Sequence, residues 1–160
     1  MLVDRRSIVK VTLVALLASL ALVFSAGAAT KSLIVTAKTT KLGRVLVDAQ
    51  GRTLYLFGAD RSAKSACSGK CATFWPPLIV TGKPRAGAGI QPSLLGTARR
   101  ANGQLQVTYN HHPLYAFVKD TKAGQVNGEG IDAFGATWYA VSPAGTAVKK
   151  PTGHSGGGYR

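Results

Sequence analysis

The chain has 160 residues, and its 20 Lys and Arg against 6 Asp and Glu give a formal net charge of +14. This length fits one domain, and a hydrophobic fraction of 46% argues for a packed core rather than a disordered chain. Nineteen glycines and seven prolines favour turns over long helices, and six acidic residues leave little material for carboxylate-rich catalysis or a calcium cage.

Residues 1–28 are predicted to be a secretory signal peptide. A basic start precedes the apolar run 11–24, and small residues at Ala26 and Ala28 suit cleavage after Ala28. The run is shorter than the ~20 residues needed to span a bilayer, although an uncleaved N-terminal anchor is the alternative. Cleavage leaves seventeen basic and five acidic residues, a net charge of +12. We therefore expect a secreted or extracytoplasmic protein, and the absence of a cysteine near the cut argues against a lipoprotein.

Two cysteines, Cys67 and Cys71, lie four positions apart in the exported part. An oxidising compartment makes a disulfide between them the expected state, with the local role of fixing one turn. A redox-active pair and a metal site are the alternatives.

A nine-residue pattern at 52–60 recurs at 112–120. Each copy contains two aromatic residues and one acidic residue at the same spacing, namely Tyr55, Phe57 and Asp60 in the first copy and Tyr115, Phe117 and Asp120 in the second. Such self-similarity indicates one supersecondary unit used twice. We place the first repeat at about 33–82 and the second at about 94–146, within a β-domain at 29–148. Each repeat is too small to bury its own apolar face, so we expect the two to pack together about a pseudo-twofold axis.

Short strands separated by turns account for most of the domain. In chain order, strands are predicted at 33–36, 45–47, 53–57, 75–80, 96–100, 104–109, 114–118 and 137–142. Hairpin turns are expected at 48–51, 101–103 and 110–113. This pattern predicts an all-β fold, an antiparallel sandwich or barrel of about seven to nine short strands.

Three further local features complete the prediction of structure. Pro76 and Pro77 cannot donate ladder hydrogen bonds, so their segment is expected at a sheet edge. Helix is confined to short turns, such as residues 91–95. The Gly-rich and basic segment 149–160 is predicted to be a flexible tail.

The spaced Tyr-x-Phe-x-x-Asp motif resembles the bacterial secreted-repeat family of predicted lipoproteins. The segments Cys67–Ala72, Trp75–Leu78 and Trp138–Pro143 also match its pattern, and the resemblance covers about residues 33–146. It implies an exported, all-β protein of unknown function. This chain departs from its lipoprotein relatives because it lacks the lipidation cysteine.

The repeated motif residues and two tryptophans are the first candidate site. Alternation places Tyr55 and Phe57 on one face of their strand. They serve either core packing, together with Trp75 and Trp138, or an aromatic cleft that stacks a planar or sugar ligand. Each motif Asp either fixes the turn that follows its strand or joins a paired carboxylate site across the pseudo-twofold axis.

The dipeptide His111-His112 is the second candidate site. Neutral imidazoles suit copper, zinc or nickel, and Asp120 or Glu129 would complete a weak metal site. The alternative is a solvent-exposed turn in which His111 adopts a conformation that glycine prefers. The polar, Gly-rich loop 124–134 is either a binding loop or a cap on one end of the sandwich.

The sequence contains no recognisable catalytic constellation. We therefore expect a non-enzymatic β-domain with a structural or binding role at the cell envelope. The basic charge favours anionic polymers or lipid headgroups as partners, and no physiological nucleic acid is expected outside the cytoplasm. The alternative is a metal- or redox-linked module that uses the His pair and the Cys pair. No cofactor is expected otherwise.

Overall fold

A computed structural model of the protein describes residues 33–149. The predicted signal peptide lies outside the described residues, as does the predicted tail beyond Lys149. The described part contains ten strands, one short α-helix and one 3₁₀ turn. In chain order they are β1 (Ile34–Thr40), β2 (Gly43–Val47), β3 (Tyr55–Phe57), α1 (Lys70–Phe74), β4 (Ile79–Val80), β5 (Arg85–Ala86), the 3₁₀ turn (Pro92–Leu94), β6 (Leu95–Arg99), β7 (Leu105–Tyr109), β8 (His112–Pro113), β9 (Asp132–Ala133) and β10 (Ala136–Ala140).

The strands form three small open sheets. β1 lies between β2 and β5, and β10 lies between β3 and β9. β7 pairs with β6 along one edge and with β4 and β8 along the other. All of these pairings are antiparallel except that of β1 with β5. The predicted all-β class is confirmed, and the sheets form packed layers rather than a closed barrel.

Two of the three predicted hairpin turns join paired strands. β6 and β7 pair from Leu95↔Tyr109 to Arg99↔Leu105, around the turn at 101–103. β7 and β8 pair through Tyr109↔His112, so Asn110 and His111 form a two-residue turn. Both turn residues have positive φ, 47° and 63°, which is the conformation that a tight hairpin requires.

The turn at 48–51 joins its flanking strands less extensively than the sequence predicts. A single bridge, Val47↔Thr53, crosses it, and the regular partner of β2 is β1. β3 instead pairs with β10, with Phe57 opposite Trp138. The reason is packing, because β10 supplies the aromatic surface against which Phe57 is buried.

Helix is short, as predicted, but one helix lies where none was expected. The 3₁₀ turn Pro92–Leu94 falls within the predicted segment. The unpredicted helix α1 begins inside the loop that the Cys67–Cys71 disulfide closes. Among residues 33–149, no helix has the length and apolarity needed to cross a bilayer.

The prolines lie at a sheet edge, as expected. β4, which begins two residues after Pro77, is an end strand of the sheet order β4-β7-β6. Pro76 contributes only its carbonyl, which accepts the backbone N–H of Ala116 at 2.9 Å. Proline is tolerated at a sheet edge because an edge residue can lack a backbone N–H without breaking a hydrogen bond between strands.

The interior consists of two hydrophobic clusters, and each contains residues from both repeats. β2 and β3 are buried on both faces, so alternate residues enter different clusters. One cluster takes Val45, Val47, Tyr55, Phe57, Cys67, Cys71, Trp75, Tyr115, Phe117, Trp138 and Ala140. The other takes Val35, Leu46, Leu54, Leu56, Leu78, Ile90, Val107, Tyr109, Leu114 and Val141. The repeats therefore share their interior, as the sequence predicts.

Candidate functional site

The two motif tyrosines face each other at the centre of the molecule. The N–H of Tyr55 donates to the carbonyl of Tyr115 at 2.8 Å, and the N–H of Tyr115 donates to the carbonyl of Tyr55 at 3.0 Å. Both residues are fully buried. This reciprocal antiparallel bridge joins the two repeats at equivalent residues, which fits the expected packing about a pseudo-twofold axis.

Each tyrosine hydroxyl binds the motif carboxylate of the other repeat. The Tyr55 hydroxyl donates to Asp120 Oδ2 at 2.5 Å. The Tyr115 hydroxyl donates to Asp60 Oδ2 at 2.8 Å. Each carboxylate is thus held by the tyrosine of the other repeat.

The second oxygen of each carboxylate fixes the loop that follows its strand. Asp60 Oδ1 accepts the backbone N–H of Ala66 at 2.7 Å, and Asp120 Oδ1 accepts that of Asn127 at 2.9 Å. Each motif Asp therefore fixes the turn that follows its strand, and it also joins the two repeats.

The aromatic residues form a four-ring stack in which the repeats alternate. Phe57 stacks on Trp138 with ring centroids 4.2 Å apart, Trp138 on Trp75 at 3.9 Å, and Trp75 on Phe117 at 4.2 Å. The tyrosines meet the two central rings edge-on. All four stacked residues are buried and form part of the core, and one side of Trp75 and Phe117 lines a shallow surface groove together with Phe74 and Phe134.

Burial governs the protonation of the central groups. Burial, reinforced by Asp120, raises the pKa of Tyr55, and burial together with Asp60 raises that of Tyr115. Both hydroxyls therefore remain protonated donors at neutral pH. Burial also raises the pKa of Asp60, against the opposing hydrogen bonds from Ala66 and Tyr115. The two Tyr–Asp pairs therefore suit a structural role, because a tyrosine that stays protonated acts as a hydrogen-bond donor and not as a phenolate base or nucleophile.

A cleft of about 550 Å³ is connected to the Tyr115–Asp60 pair through Ser65, which belongs to its lining. The Tyr115 hydroxyl also contacts Ser65 Oγ at 2.8 Å. Arg100 Nη1 donates to the same Ser65 oxygen at 2.8 Å, and its Nη2 donates to the carbonyl of Cys67 at 2.7 Å. Ser65 and Arg100 line the cleft with Asn102 and Gln104. Sequence reasoning missed Ser65 and Arg100 because neither belongs to the repeated pattern.

The structure places Cys67 and Cys71 in a disulfide, with their Cα atoms 5.3 Å apart. Both cysteines are buried. The carbonyl of Cys67 accepts a hydrogen bond from Arg100, so the crosslinked turn is also tied to the second repeat. This arrangement fits the local structural role that the sequence suggests.

The loop 124–134 covers the hydrogen-bonded pair formed by the Tyr55 hydroxyl and the Asp120 carboxylate. The backbone N–H of Gly128 donates to the Tyr55 hydroxyl at 3.2 Å. A Cβ at this glycine would lie 2.8 Å from atoms of Trp75 and Tyr55, so a larger residue does not fit. Glu129 accepts the N–H of Ala140 at 2.6 Å, and burial raises the pKa of this carboxyl. The part of the loop around Gly128 and Glu129 therefore caps the core.

The His pair belongs to the β7–β8 hairpin, with His111 in the turn and His112 at the start of β8. His111 is exposed, and His112 is half-buried. Burial and the neighbouring His111 lower the pKa of His112. Asp120 is held by Tyr55 and Glu129 by Ala140. Across residues 33–149, no group of three or more His, Cys, Asp or Glu side chains is placed to hold a metal ion.

One family model matches both repeats. Its description is a secreted repeat of unknown function, and it matches residues 36–79 and 96–142. Each matched segment contains one complete Tyr-Phe-Asp motif. Together the segments cover more than half of the chain, so the chain belongs to this secreted-repeat family and is extracytoplasmic. No curated protein and no solved structure matches the chain.

Proposed function

We propose that this member of the secreted-repeat family is a non-enzymatic binding module that attaches to anionic polymers or surfaces of the cell envelope. The observation that carries the proposal is the division of charge between the interior and the surface. Thirteen of the fourteen Lys and Arg side chains in residues 33–149 are exposed, whereas Asp132 is the one exposed carboxylate among five.

The other four carboxylates are occupied by intramolecular contacts. Asp48 forms an ion pair with Arg52 at 2.7 Å and is buried. Asp60 and Asp120 hold the tyrosines of the opposite repeats, and Glu129 binds the backbone of Ala140. These four carboxylates therefore stabilise the fold through contacts within the domain, whereas most of the Lys and Arg side chains face solvent. Such a surface attracts anionic partners.

Attachment through a lipidated cysteine does not fit this chain. It contains two cysteines in all, and both belong to the Cys67–Cys71 disulfide. Attachment through surface charge requires no covalent anchor.

The test is cosedimentation of the purified chain with purified bacterial cell envelopes at ~0.15 M salt, where exposed charges more than about 8 Å apart are screened. We expect the chain to pellet with the envelopes and to be released as the salt concentration rises. Absence from the pellet at ~0.15 M salt would contradict the proposal.

A matched set of variants separates charge from side-chain shape. Replacing the exposed Lys38, Lys41 and Lys119 by Gln should weaken envelope binding at least about tenfold, since each lysine near an anionic surface contributes about 1 kcal/mol. Replacement of the same three residues by Arg keeps the charge and should preserve binding. Equal binding by the two variants would show that charge does not drive attachment.

A further inference from the structure

Two exposed aromatic side chains, Phe74 and Phe134, meet at the surface, and the exposed Val118 is bonded to Phe74 through the backbone. Phe74, Val118 and Phe134 are 41%, 44% and 45% exposed, and they are three of the four large apolar residues exposed in residues 33–149. The ring centroids of Phe74 and Phe134 are 6.1 Å apart. The N–H of Val118 donates to the carbonyl of Phe74 at 3.1 Å, which places the backbone of Val118 next to that of Phe74. We call this set the aromatic tip.

Phe134 occupies a turn position that its residue type disfavours. It forms the two-residue turn between β9 and β10 with Gly135, and the two residues have φ values of 59° and 90°. A turn with positive φ at both positions is type I′, which prefers Asn, Asp or Gly. A bulky aromatic residue there is strained. Because the Phe134 side chain is exposed, core packing does not account for it.

Cations border the aromatic tip. Lys119 lines the shallow groove that Phe74 and Phe134 flank. Lys70 lies one helical turn before Phe74 on α1, and therefore on the same side of that helix. The exposed Asp132 alternates with Ile131 and Ala133, which line the groove, so its carboxylate belongs to the opposite face of β9. The surface is thus apolar at its centre and basic at its rim.

The two phenylalanine rings leave no space for a ring between them. A third ring held between two others needs about 7 Å, twice the ~3.5 Å contact distance between carbon atoms. At 6.1 Å and an interplanar angle of 39°, Phe74 and Phe134 contact each other instead. Phe74 and Phe134 therefore form one continuous apolar surface at the edge of the shallow groove, and such a surface suits contact with a deformable apolar layer.

We propose that the aromatic tip inserts into the interface of a membrane that bears anionic lipid headgroups. Phe74, Val118 and Phe134 would occupy the boundary between headgroups and acyl chains, and Lys70 and Lys119 would lie among the lipid phosphates. This inference rests on the proposed function, for which it names lipid as the anionic partner and the aromatic tip as the contact surface.

The experiment measures sedimentation of the chain, purified after export, with two kinds of vesicle at ~0.15 M salt. One kind is phosphatidylcholine alone, and the other is equal parts phosphatidylcholine and phosphatidylglycerol. We expect binding to the anionic vesicles. The variants Phe74→Ser and Phe134→Asn should each lower that binding about tenfold or more, because burying one Phe side chain shifts an equilibrium by that factor.

Phe134→Asn separates binding from folding. It creates the Asn-Gly pair that a type I′ turn prefers, so its unfolding temperature should equal or exceed that of the wild-type protein. Ile34→Ser is the matched control, because Ile34 is also exposed, at 36%, and belongs to β1 rather than to the aromatic tip. It should leave vesicle binding unchanged.

Several results would overturn the inference. Equal vesicle binding by Phe134→Asn and wild-type protein would show that the aromatic tip does not insert. Binding to envelopes without binding to anionic vesicles would leave the proposed function standing and remove lipid as the partner. Loss of binding to a soluble acidic polysaccharide by the tip variants, with vesicle binding intact, would assign the tip to a glycan. Failure to bind either envelopes or vesicles would remove both proposals.

Discussion

The hydroxyl groups of Tyr55 and Tyr115 explain why the repeated motif has its spacing. In each repeat the aromatic pair is followed by a tight turn, in which the Asp N–H donates to the Phe carbonyl three residues earlier. This turn directs the carboxylate back towards the centre, where the other repeat's tyrosine lies. The motif is therefore a reciprocal clasp, with its donor in one repeat and its acceptor in the other.

Removal of the two hydroxyls should have unequal effects on stability. Tyr55→Phe leaves the Asp120 carboxylate, which is 3% exposed, without its tyrosine donor, so we expect a loss of about 1–3 kcal/mol or more in the free energy of unfolding. Tyr115→Phe should cost less, because Asp60 is half-buried and is reached more readily by water. Urea unfolding at neutral pH measures both losses.

The half-buried Tyr139 provides a control outside the motif. Tyr139→Phe should change the free energy of unfolding by about 0.5 kcal/mol or less. If Tyr55→Phe were no more destabilising than this control, the clasp would not contribute to stability.

Asp60 should make stability depend on pH in the sense opposite to an ordinary ion-paired carboxylate. Burial raises its pKa in the folded state above the usual value of 3.8. Its contribution to stability is therefore fully present below the unfolded-state pKa and is lost as pH rises through the folded-state pKa. Measured from about pH 3 to about pH 7, the free energy of unfolding of the wild-type protein should fall relative to that of Asp60→Asn. Glu129 titrates in both proteins, so its effect cancels from the difference. A difference that increases with pH would contradict the assignment.

At the scale of the elements, turn residues in the sequence predict where hairpins form, but they do not predict which distant strands pair with each other. Asn102-Gly103 joins two strands that pair as predicted. Across Asn110-His111, β7 pairs with His112–Pro113 rather than with the predicted strand at 114–118. The pairings of β3 with β10 and of β4 with β7 join different repeats. Alternation of apolar residues defines a strand face, but it does not identify the strand that covers that face.

The elements that escaped prediction are those with weak local signals. α1 has five residues and begins within a disulfide-closed loop, so it offers no helical periodicity. The β9–β10 turn contains Phe134 where turn chemistry calls for Asn or Asp. The motif residues of the candidate site were found from the repeat itself. Their exchange between repeats was not, because it depends on tertiary packing.

At the scale of the whole molecule, neither repeat contains a complete core. Along the four-ring stack the order is Phe57, Trp138, Trp75 and Phe117, so every stacking contact joins one repeat to the other. Both hydrophobic clusters are likewise shared. A domain of this size buries enough apolar surface only if the two repeats are combined.

This interdependence predicts the behaviour of the chain divided after Gly89. Residues 33–89 keep β1 to β5, and residues 90–149 keep β6 to β10. Each fragment lacks half of the shared clusters, so neither should unfold cooperatively alone. An equimolar mixture should regain a cooperative transition whose midpoint rises with protein concentration.

Circular dichroism gives a specific measurement of that assembly. Trp75 and Trp138, one in each fragment, stack at 3.9 Å with an interplanar angle of 3°. Exciton coupling between the two indoles requires both, so its signal should be absent from each fragment and should appear on mixing. Trp138→Phe in the second fragment is the control, since it should abolish the coupling while retaining an aromatic ring in the stack. A cooperative unfolding transition in either fragment alone would show instead that a single repeat can bury its own apolar face, and the clasp would then join two finished units.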